Sequence, residues 1–284
     1  MLPIKKLYID SRHRTEDSES SSNFKIELPY SITLPDNTVF FVTDISIPHV
    51  FKLIEAGLND RIYYYYSWRS DSTPITEMYT YITLPSGNYT GSTLASQLQS
   101  LMNGNIYTGA NISFTVSYDS GNNSISISCS GTETQWRFIT DAELQYTYIR
   151  LMLGNSIDPA HARSASDILS VHSTSDMFRS GEVYNCEFMN IHPINNIYIT
   201  SPNLGSFDTL SPFSNNVIKK VPINVPYGYM IIDQNSTNND FLNCSKQTIR
   251  TIEFHLKDSR GRYVNMHGMN ISFSIVFNKY NIDY

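Results

Sequence analysis

The sequence has few charged residues and few cysteines, and it lacks any long hydrophobic run. Only 16% of its 284 residues are charged, whereas 40% are hydrophobic, and this balance excludes a mainly disordered chain. Because no run of about 18 apolar residues is present, we expect no transmembrane helix. The first residues lead into a strand-like run instead of an apolar signal core, so no secretory signal is expected.

The cysteine count and the net charge narrow the class of protein further. The three cysteines, Cys129, Cys186 and Cys244, are odd in number and form no C-x-x-C motif, which favours free thiols in a reducing compartment over a disulfide framework. A net charge of −6 and a pI near 5.6 argue against a protein whose main task is to coat nucleic acid.

Motifs of catalytic and cofactor chemistry are also missing. The sequence contains no G-x-S-x-G, no glycine-rich phosphate loop, no calcium loop and no histidine spacing typical of a metal site. His161 and Ser164 lie near Asp158 and Asp167, but the segment is typical of a flexible loop, and a triad needs convergence in a pocket. We therefore predict that the protein is not an enzyme and binds no cofactor or metal.

What the sequence does contain is a pattern of β-strands. The 20 tyrosines and 14 phenylalanines suit pleated, half-buried surfaces. Ile249–Leu256 and Ile271–Phe277 alternate apolar and polar residues, as strands lying on a core do. Asp258–Arg262 between them is typical of a hairpin turn with Gly261 at positive φ. We expect the partners of this pair to be Ile4–Asp10 and Phe24–Leu28.

A region with a different sequence pattern, from Glu77 to Gly154, interrupts the series of strands. Thr90–Met102 has the apolar stripe of a helix with Thr90 as its N-cap. A hairpin turns at Asp119–Asn123, and a capping box at Thr140–Glu143 predicts a second helix that continues toward Leu151. The pattern predicts an all-β protein, a single jelly-roll β-sandwich interrupted by an inserted α+β module. The predicted parts are residues 1–75 and 181–284 for the two halves of the jelly roll, and 76–180 for the inserted module with its connecting loop.

Two further features are candidates for contacts with other molecules. Tyr63–Tyr66 place aromatic surface on both faces of a strand, which fits either a strand in contact with a partner or an ordinary aromatic strand. The basic residues near the start of the chain predict at most a weak, salt-dependent contact with phosphate, or simply solvated strand ends; they are Lys5, Lys6, Arg12 and Arg14.

Several stretches together resemble small capsid proteins of virophages, Polinton/Maverick elements, adintoviruses and related large DNA viruses. They occur in the order found in that family and cover about half of the chain. The stretches are Leu7–Arg12 followed by Asn23–Pro29, Ile82–Thr90 with its helix, the segment ending near Leu151–Gly154, and Ile252–Arg262 with the strand after it.

The resemblance implies a minor capsid (penton) protein with one jelly roll, sometimes carrying an inserted domain. Five copies would close each fivefold vertex of an icosahedral virion and abut trimers of a double-jelly-roll major capsid protein, after synthesis and assembly in the host cytoplasm or nucleus. A ring of five implies a heterologous interface, for which Tyr63–Tyr66 are the expected surface. The polar arm Ser11–Ser22 is expected to reach a neighbouring subunit or the capsid interior.

Two other functions remain open from the residues alone. The first is a trimeric or monomeric receptor- or glycan-binding β-protein, like a spike or an adhesin, for which Trp68 or Trp136 would have to form an aromatic platform. The second is a lectin-like or hydrolytic enzyme, against which the missing motifs count.

Overall fold

The chain forms two separate units of mainly antiparallel β-structure. The computed structural model describes residues 5–69, 74–154, 164–171, 176–186, 188–191, 194–204, 216–235, 237 and 240–279. One unit comprises residues 1–51 and 194–284, and the other comprises residues 52–193.

The strands are numbered along the chain. They are β1 (Lys5–Asp10), β2 (Asn23–Thr33), β3 (Thr38–Pro48), β4 (Arg61–Trp68), β5 (Thr76–Thr83), β6 (Ile112–Asp119), β7 (Ser124–Gly131), β8 (Gln135–Phe138), β9 (Phe178–Arg179), β10 (Val183–Cys186), β11 (Asn196–Thr200), β12 (Val217–Pro222), β13 (Met230–Asp233), β14 (Leu242–Asn243), β15 (Thr248–Lys257) and β16 (Ser272–Lys279). The α-helices are α1 (Gly91–Gly104) and α2 (Thr147–Met152), and 3-10 turns lie at Ser11–His13 and Glu143–Gln145.

The first unit is a jelly roll. One of its sheets has the strand order β1-β16-β3-β13, with the short β14 also paired to β3, and the other has the order β12-β11-β15-β2. Counted along this unit without β14, the orders are 1-8-3-6 and 5-4-7-2, so both sheets mix strands from its two chain segments. This is the two-sheet, eight-strand arrangement of a jelly roll, which confirms the predicted fold class. The second unit is inserted between the third and fourth of these strands.

The two chain segments of the jelly roll pair with each other, as the sequence predicts. β1 pairs with β16, so that Ile9 lies opposite Phe273, and β2 pairs with β15, so that Phe24 lies opposite Phe254. Phe254 also packs against Phe273 of the facing sheet, with ring centroids 5.0 Å apart. One continuous core therefore lies between the two sheets.

Asp258–Arg262 forms the predicted hairpin turn, but β15 and β16 do not pair with each other. Tyr263 lies opposite Lys257 in an antiparallel bridge, and the Val264 N–H donates to the Leu256 carbonyl at 3.1 Å, whereas β16 belongs to the other sheet. Val264 and Met266, which follow the turn, are buried in the core. β16 begins after these residues, at Ser272, and pairs with β1 and β3 in the other sheet.

The side chain of Asp258 organises this turn. It is almost fully buried, and its carboxylate accepts hydrogen bonds from the backbone N–H groups of Arg260 and Arg262, both at 2.9 Å, and from Nε of Arg262 at 2.8 Å. Gly261 has φ +78°, a conformation that glycine adopts without steric cost. This side chain holds the turn together with the backbone hydrogen bonds from the Asp258 N–H to Arg262 and from the Gly261 N–H to Asp258.

We expect Asp258→Ala to lower the free energy of unfolding of the jelly roll by about 1–3 kcal/mol, because two backbone N–H groups and the Arg262 guanidinium lose a charged acceptor. Hydrogen exchange of peptides from β15 and β16, followed by mass spectrometry, measures the effect. Asp258→Asn keeps an acceptor oxygen and is expected to cost less. Equal exchange in Asp258→Ala and the unmodified protein would contradict this role.

The second unit contains two sheets and the longer helix. The sheets have the strand orders β5-β4-β8-β9 and β10-β7-β6, and α1 packs on β6. The expected boundaries at 75/76 and 180/181 differ from those observed. Arg61–Trp68 pairs along its whole length with β5, and Val183–Cys186 pairs with β7, so backbone hydrogen bonding draws both strands into this unit.

Of the two predicted helices, the first is confirmed and the second is broken. Thr90 caps α1, and Thr93 completes the capping box. At the second site Thr140 and Glu143 form the expected reciprocal bonds, but only a 3-10 turn follows. Tyr146 is extended, with ψ 127°, and separates that turn from α2.

Candidate interaction surfaces

The tyrosine run Tyr63–Tyr66 lies in the interior of the second unit and does not form a free surface. All four side chains are buried. Tyr64 and Tyr66 face the core shared with α1 and the second sheet, whereas Tyr63 and Tyr65 lie under Leu144, Ile149 and their neighbours. Both faces of β4 are thus covered within the chain, which overturns the prediction that these tyrosines contact another subunit.

The hydroxyl groups of Tyr64 and Tyr66 have hydrogen-bond partners inside the unit. The Asn105 side-chain amide donates to the Tyr64 hydroxyl oxygen at 3.1 Å, and the Tyr107 backbone N–H donates to that of Tyr66 at 2.9 Å. Burial raises the pKa of both Tyr64 and Tyr66, which keeps the phenols neutral. These are the contacts of structural core residues.

The two tryptophans are buried in the same core. Trp136 contacts Phe114 and Phe138 through edge-to-face ring contacts, and Trp68 stacks on Tyr66 at 5.5 Å. A sugar platform must be reachable from solvent. Neither tryptophan therefore supplies the platform that a glycan-binding function requires.

The polar arm Ser11–Ser22 folds back onto the jelly roll. The Ser11 N–H donates to the Ile271 carbonyl at 3.0 Å, and the Thr15 N–H donates to the Lys25 carbonyl at 2.9 Å. Lys25 also pairs with Asp17 at 2.9 Å. Because the arm is bound to its own unit, the structure does not support the expectation that it reaches out to a neighbour.

The four basic residues named from the sequence have partners nearby. Lys6 pairs with Asp44 at 2.8 Å, Nε of Arg12 donates to Asp10 at 3.0 Å, and Arg14 donates to the Ser11 carbonyl at 3.0 Å. The hydrogen bonds from Arg12 lower the pKa of Asp10. Lys5 donates to the Tyr30 hydroxyl. The carboxylates neutralise part of the positive charge of these residues. Contact with phosphate therefore stays a prediction, and less positive charge remains to attract a phosphate.

One lateral side of the jelly roll exposes aromatic side chains. It is formed by β1 and β2, which are edge strands of the two sheets and are joined by the bond from Lys5 to Tyr30. Tyr8 is 79% exposed and Tyr30 is 56% exposed, and ammonium groups lie over both rings. We call this surface the β1/β2 side.

The opposite lateral side is formed by β12 and β13, the other two edge strands. The buried Lys219 of β12 joins them: its ammonium group lies 3.9 Å from the Asp233 carboxylate of β13. Tyr229, Met230 and Ile232 are exposed there. We call this surface the β12/β13 side. The sequence did not predict it, because alternation along a strand does not reveal which strands lie at the edge of a sheet.

The described residues show little that is typical of catalysis. Among them, no group of three His, Cys, Asp or Glu side chains is placed to hold a metal ion, and no helix is long and apolar enough to cross a membrane. His161 and Asp158 lie outside the described residues. The three cysteines are buried and form no disulfide, and burial raises the pKa of Cys129 to about 11 and of Cys244 to about 12, which makes these two thiols poor nucleophiles.

These features define an all-β jelly roll with an inserted α+β unit. Two solved structures are similar to it over nearly their whole length. A crystal structure of the mavirus penton protein has a TM-score of 0.48 and 12% identity, covering 97% of this chain and 100% of the other. A chain in the cryo-EM structure of the Sputnik virophage has a TM-score of 0.40 and 12% identity, covering 96% and 98%. No family model and no curated protein matches the sequence.

Proposed function

We propose that this chain is a structural capsid protein, a minor capsid (penton) subunit that forms homopentamers at the fivefold vertices of an icosahedral virion. The observation that carries the proposal is a jelly roll interrupted by one inserted unit. This is the architecture that the sequence resemblance implies, and it follows independently from the strand order of the chain itself.

The surfaces of the jelly roll fit assembly into a ring. A closed ring needs a heterologous interface, in which each subunit offers two different surfaces that complement each other. The β1/β2 side and the β12/β13 side lie at opposite edges of the sandwich and both expose large apolar side chains. We place the contact there, with Tyr8 and Tyr30 of one subunit facing Met230 and Ile232 of the next.

The remaining parts of the proposal follow from the same assembly. The pentamer abuts trimers of a double-jelly-roll major capsid protein, and the chain functions in the virion after synthesis and assembly in the host cytoplasm or nucleus. It acts as a structural subunit without enzyme activity. The net charge of −6 gives little support to a role in binding nucleic acid.

Mass measurement of the full chain tests the oligomer. We expect a species of five times the chain mass of 32.4 kDa. Tyr8→Glu and Ile232→Glu each place a charge in the proposed contact and are expected to weaken association at least about 30-fold, as the loss of an interface hot spot of about 2 kcal/mol does. Native mass spectrometry over a concentration series follows the loss.

Tyr148→Glu is the matched control, because it introduces the same charge at an exposed tyrosine of the second unit. It is expected to leave the pentamer intact. A trimer would instead favour a spike, and a chain that stays monomeric even with the major capsid protein present would contradict the penton assignment. Pentamers that survive both Tyr8→Glu and Ile232→Glu would overturn the proposed contact.

A further inference from the structure

A row of polar side chains crosses one sheet of the second unit. Ser67 of β4 lies directly opposite Glu77 of β5 and Gln135 of β8, and Gln135 lies opposite Arg179 of β9. Each of the four strands thus contributes one residue. At a strand spacing of about 4.8 Å the row spans about 14 Å, the length of a short oligosaccharide.

The row lies in an open depression. These four residues line a cavity of about 420 Å³ together with Tyr65 and Ser180, within the size range of ligand pockets. Glu77 and Arg179 are exposed at the two ends of the row, and Ser67 forms part of the floor. At one edge of the cavity Glu133 is paired with Arg69 at 3.3 Å.

Aromatic rings flank the polar row. Tyr65 and Tyr79 form the adjacent pair of the same sheet and make an edge-to-face contact at 4.9 Å. Tyr79 packs against the cluster that contains Ile149 of α2, the helix that also carries Tyr148. Tyr148 in turn stacks on Tyr146 at 6.1 Å, and both are more than half exposed.

The polar row and the tyrosine rings beside it together favour one class of ligand. A cation would meet Arg179 at one end of the row and an anion would meet Glu77 at the other, so neither uses the whole row. A neutral polyhydroxyl compound uses all of it, because its hydroxyl groups donate to the carboxylate and accept from the guanidinium and the amide. Tyr65, which lines the cavity, and Tyr79 opposite it offer apolar ring surface for the C–H face of a sugar ring.

We propose that this face of the second unit binds a neutral oligosaccharide, with Glu77, Ser67, Gln135 and Arg179 contacting its hydroxyl groups. The proposal concerns the second unit alone and is independent of the oligomeric state of the chain. It assigns a glycan-binding surface to a protein whose tryptophans are not available for that role.

Saturation-transfer NMR with the full chain tests the proposal. The probes are three neutral sugars, maltotriose, chitotriose and lactose, together with anionic sialyllactose and a lysine-rich peptide. We expect transfer to at least one neutral sugar. In titrations, Glu77→Gln and Arg179→Ala are each expected to weaken the binding of that sugar about tenfold, which is the effect of losing one hydrogen bond to a charged group.

Glu16→Gln is the matched control, because it makes the same change at an exposed carboxylate of the other unit and is expected to leave binding unchanged. Thermal unfolding of each variant shows that the second unit remains folded. Binding of only the peptide or only sialyllactose would overturn the proposal. So would the absence of neutral-sugar binding, or neutral-sugar binding that neither Glu77→Gln nor Arg179→Ala weakens.

Discussion

Tyr64→Ala is expected to lower the free energy of unfolding of the second unit by about 3–5 kcal/mol, the range for truncating a large buried aromatic side chain. Tyr64 is fully buried, packs edge-to-face on Phe114 with ring centroids 5.9 Å apart, and stacks on Tyr66 at 6.0 Å. The substitution removes these contacts and leaves a cavity where α1 and the two sheets meet. Tryptophan fluorescence during urea unfolding reports the loss, because both tryptophans of the chain belong to this unit.

Two further variants separate the contribution of the Tyr64 hydroxyl group from that of its buried ring. Tyr64→Phe removes only the hydroxyl group that accepts from Asn105, so it is expected to cost about 1 kcal/mol. Tyr148→Ala makes the same truncation at an exposed tyrosine and is expected to change stability by less than about 0.5 kcal/mol. If Tyr64→Ala kept full stability and only assembly failed, the tyrosine run would be an interface after all.

Phe254→Ala is expected to destabilise the jelly roll by about 3–5 kcal/mol for the same physical reason. Its ring is fully buried. The ring centroid lies 5.5 Å from that of Phe24 on the paired strand and 5.0 Å from that of Phe273 on the facing sheet. One side chain therefore links β2, β15 and β16, which come from both chain segments of the unit. Its removal weakens pairing within a sheet and packing between the sheets.

Because the jelly roll contains no tryptophan, its unfolding is followed by hydrogen exchange of peptides from β2, β15 and β16. Phe188→Ala makes the same substitution at an exposed phenylalanine of the second unit and serves as the control. We expect faster exchange in all three peptides of Phe254→Ala. Faster exchange in β15 alone would contradict a shared core.

Local patterns predicted the individual elements well. Alternation in Phe24–Leu28 and Ile271–Phe277 identified strands, because one face of each strand is buried and the other is not. The N-cap and apolar stripe identified α1 for an equally local reason. The second predicted helix was broken because a capping box specifies only how a helix begins, whereas packing of Leu144 and Ile149 over the sheet determined the path of the chain after it.

Some sequence patterns are compatible with two structures, and only contacts with residues distant in sequence decided between them. Four consecutive tyrosines are equally compatible with a free aromatic surface and with a strand covered on both faces, and α1 on one side and the segment around Ile149 on the other decided between them. Asp258–Arg262 has the composition of a hairpin turn. That turn does form, but β16 joins the other sheet, where it pairs with β1 and β3.

By itself, therefore, the sequence determined the all-β class, the strands, the longer helix, and the pairing of β1 and β2 with the strands near the other end. Tertiary structure alone decided which strands lie at sheet edges, where the inserted unit begins, and which polar residues form the row ending at Glu77 and Arg179. The physical reason is that alternation records only whether a side chain is buried. Which residues lie side by side depends on backbone hydrogen bonds between strands that are far apart in the chain.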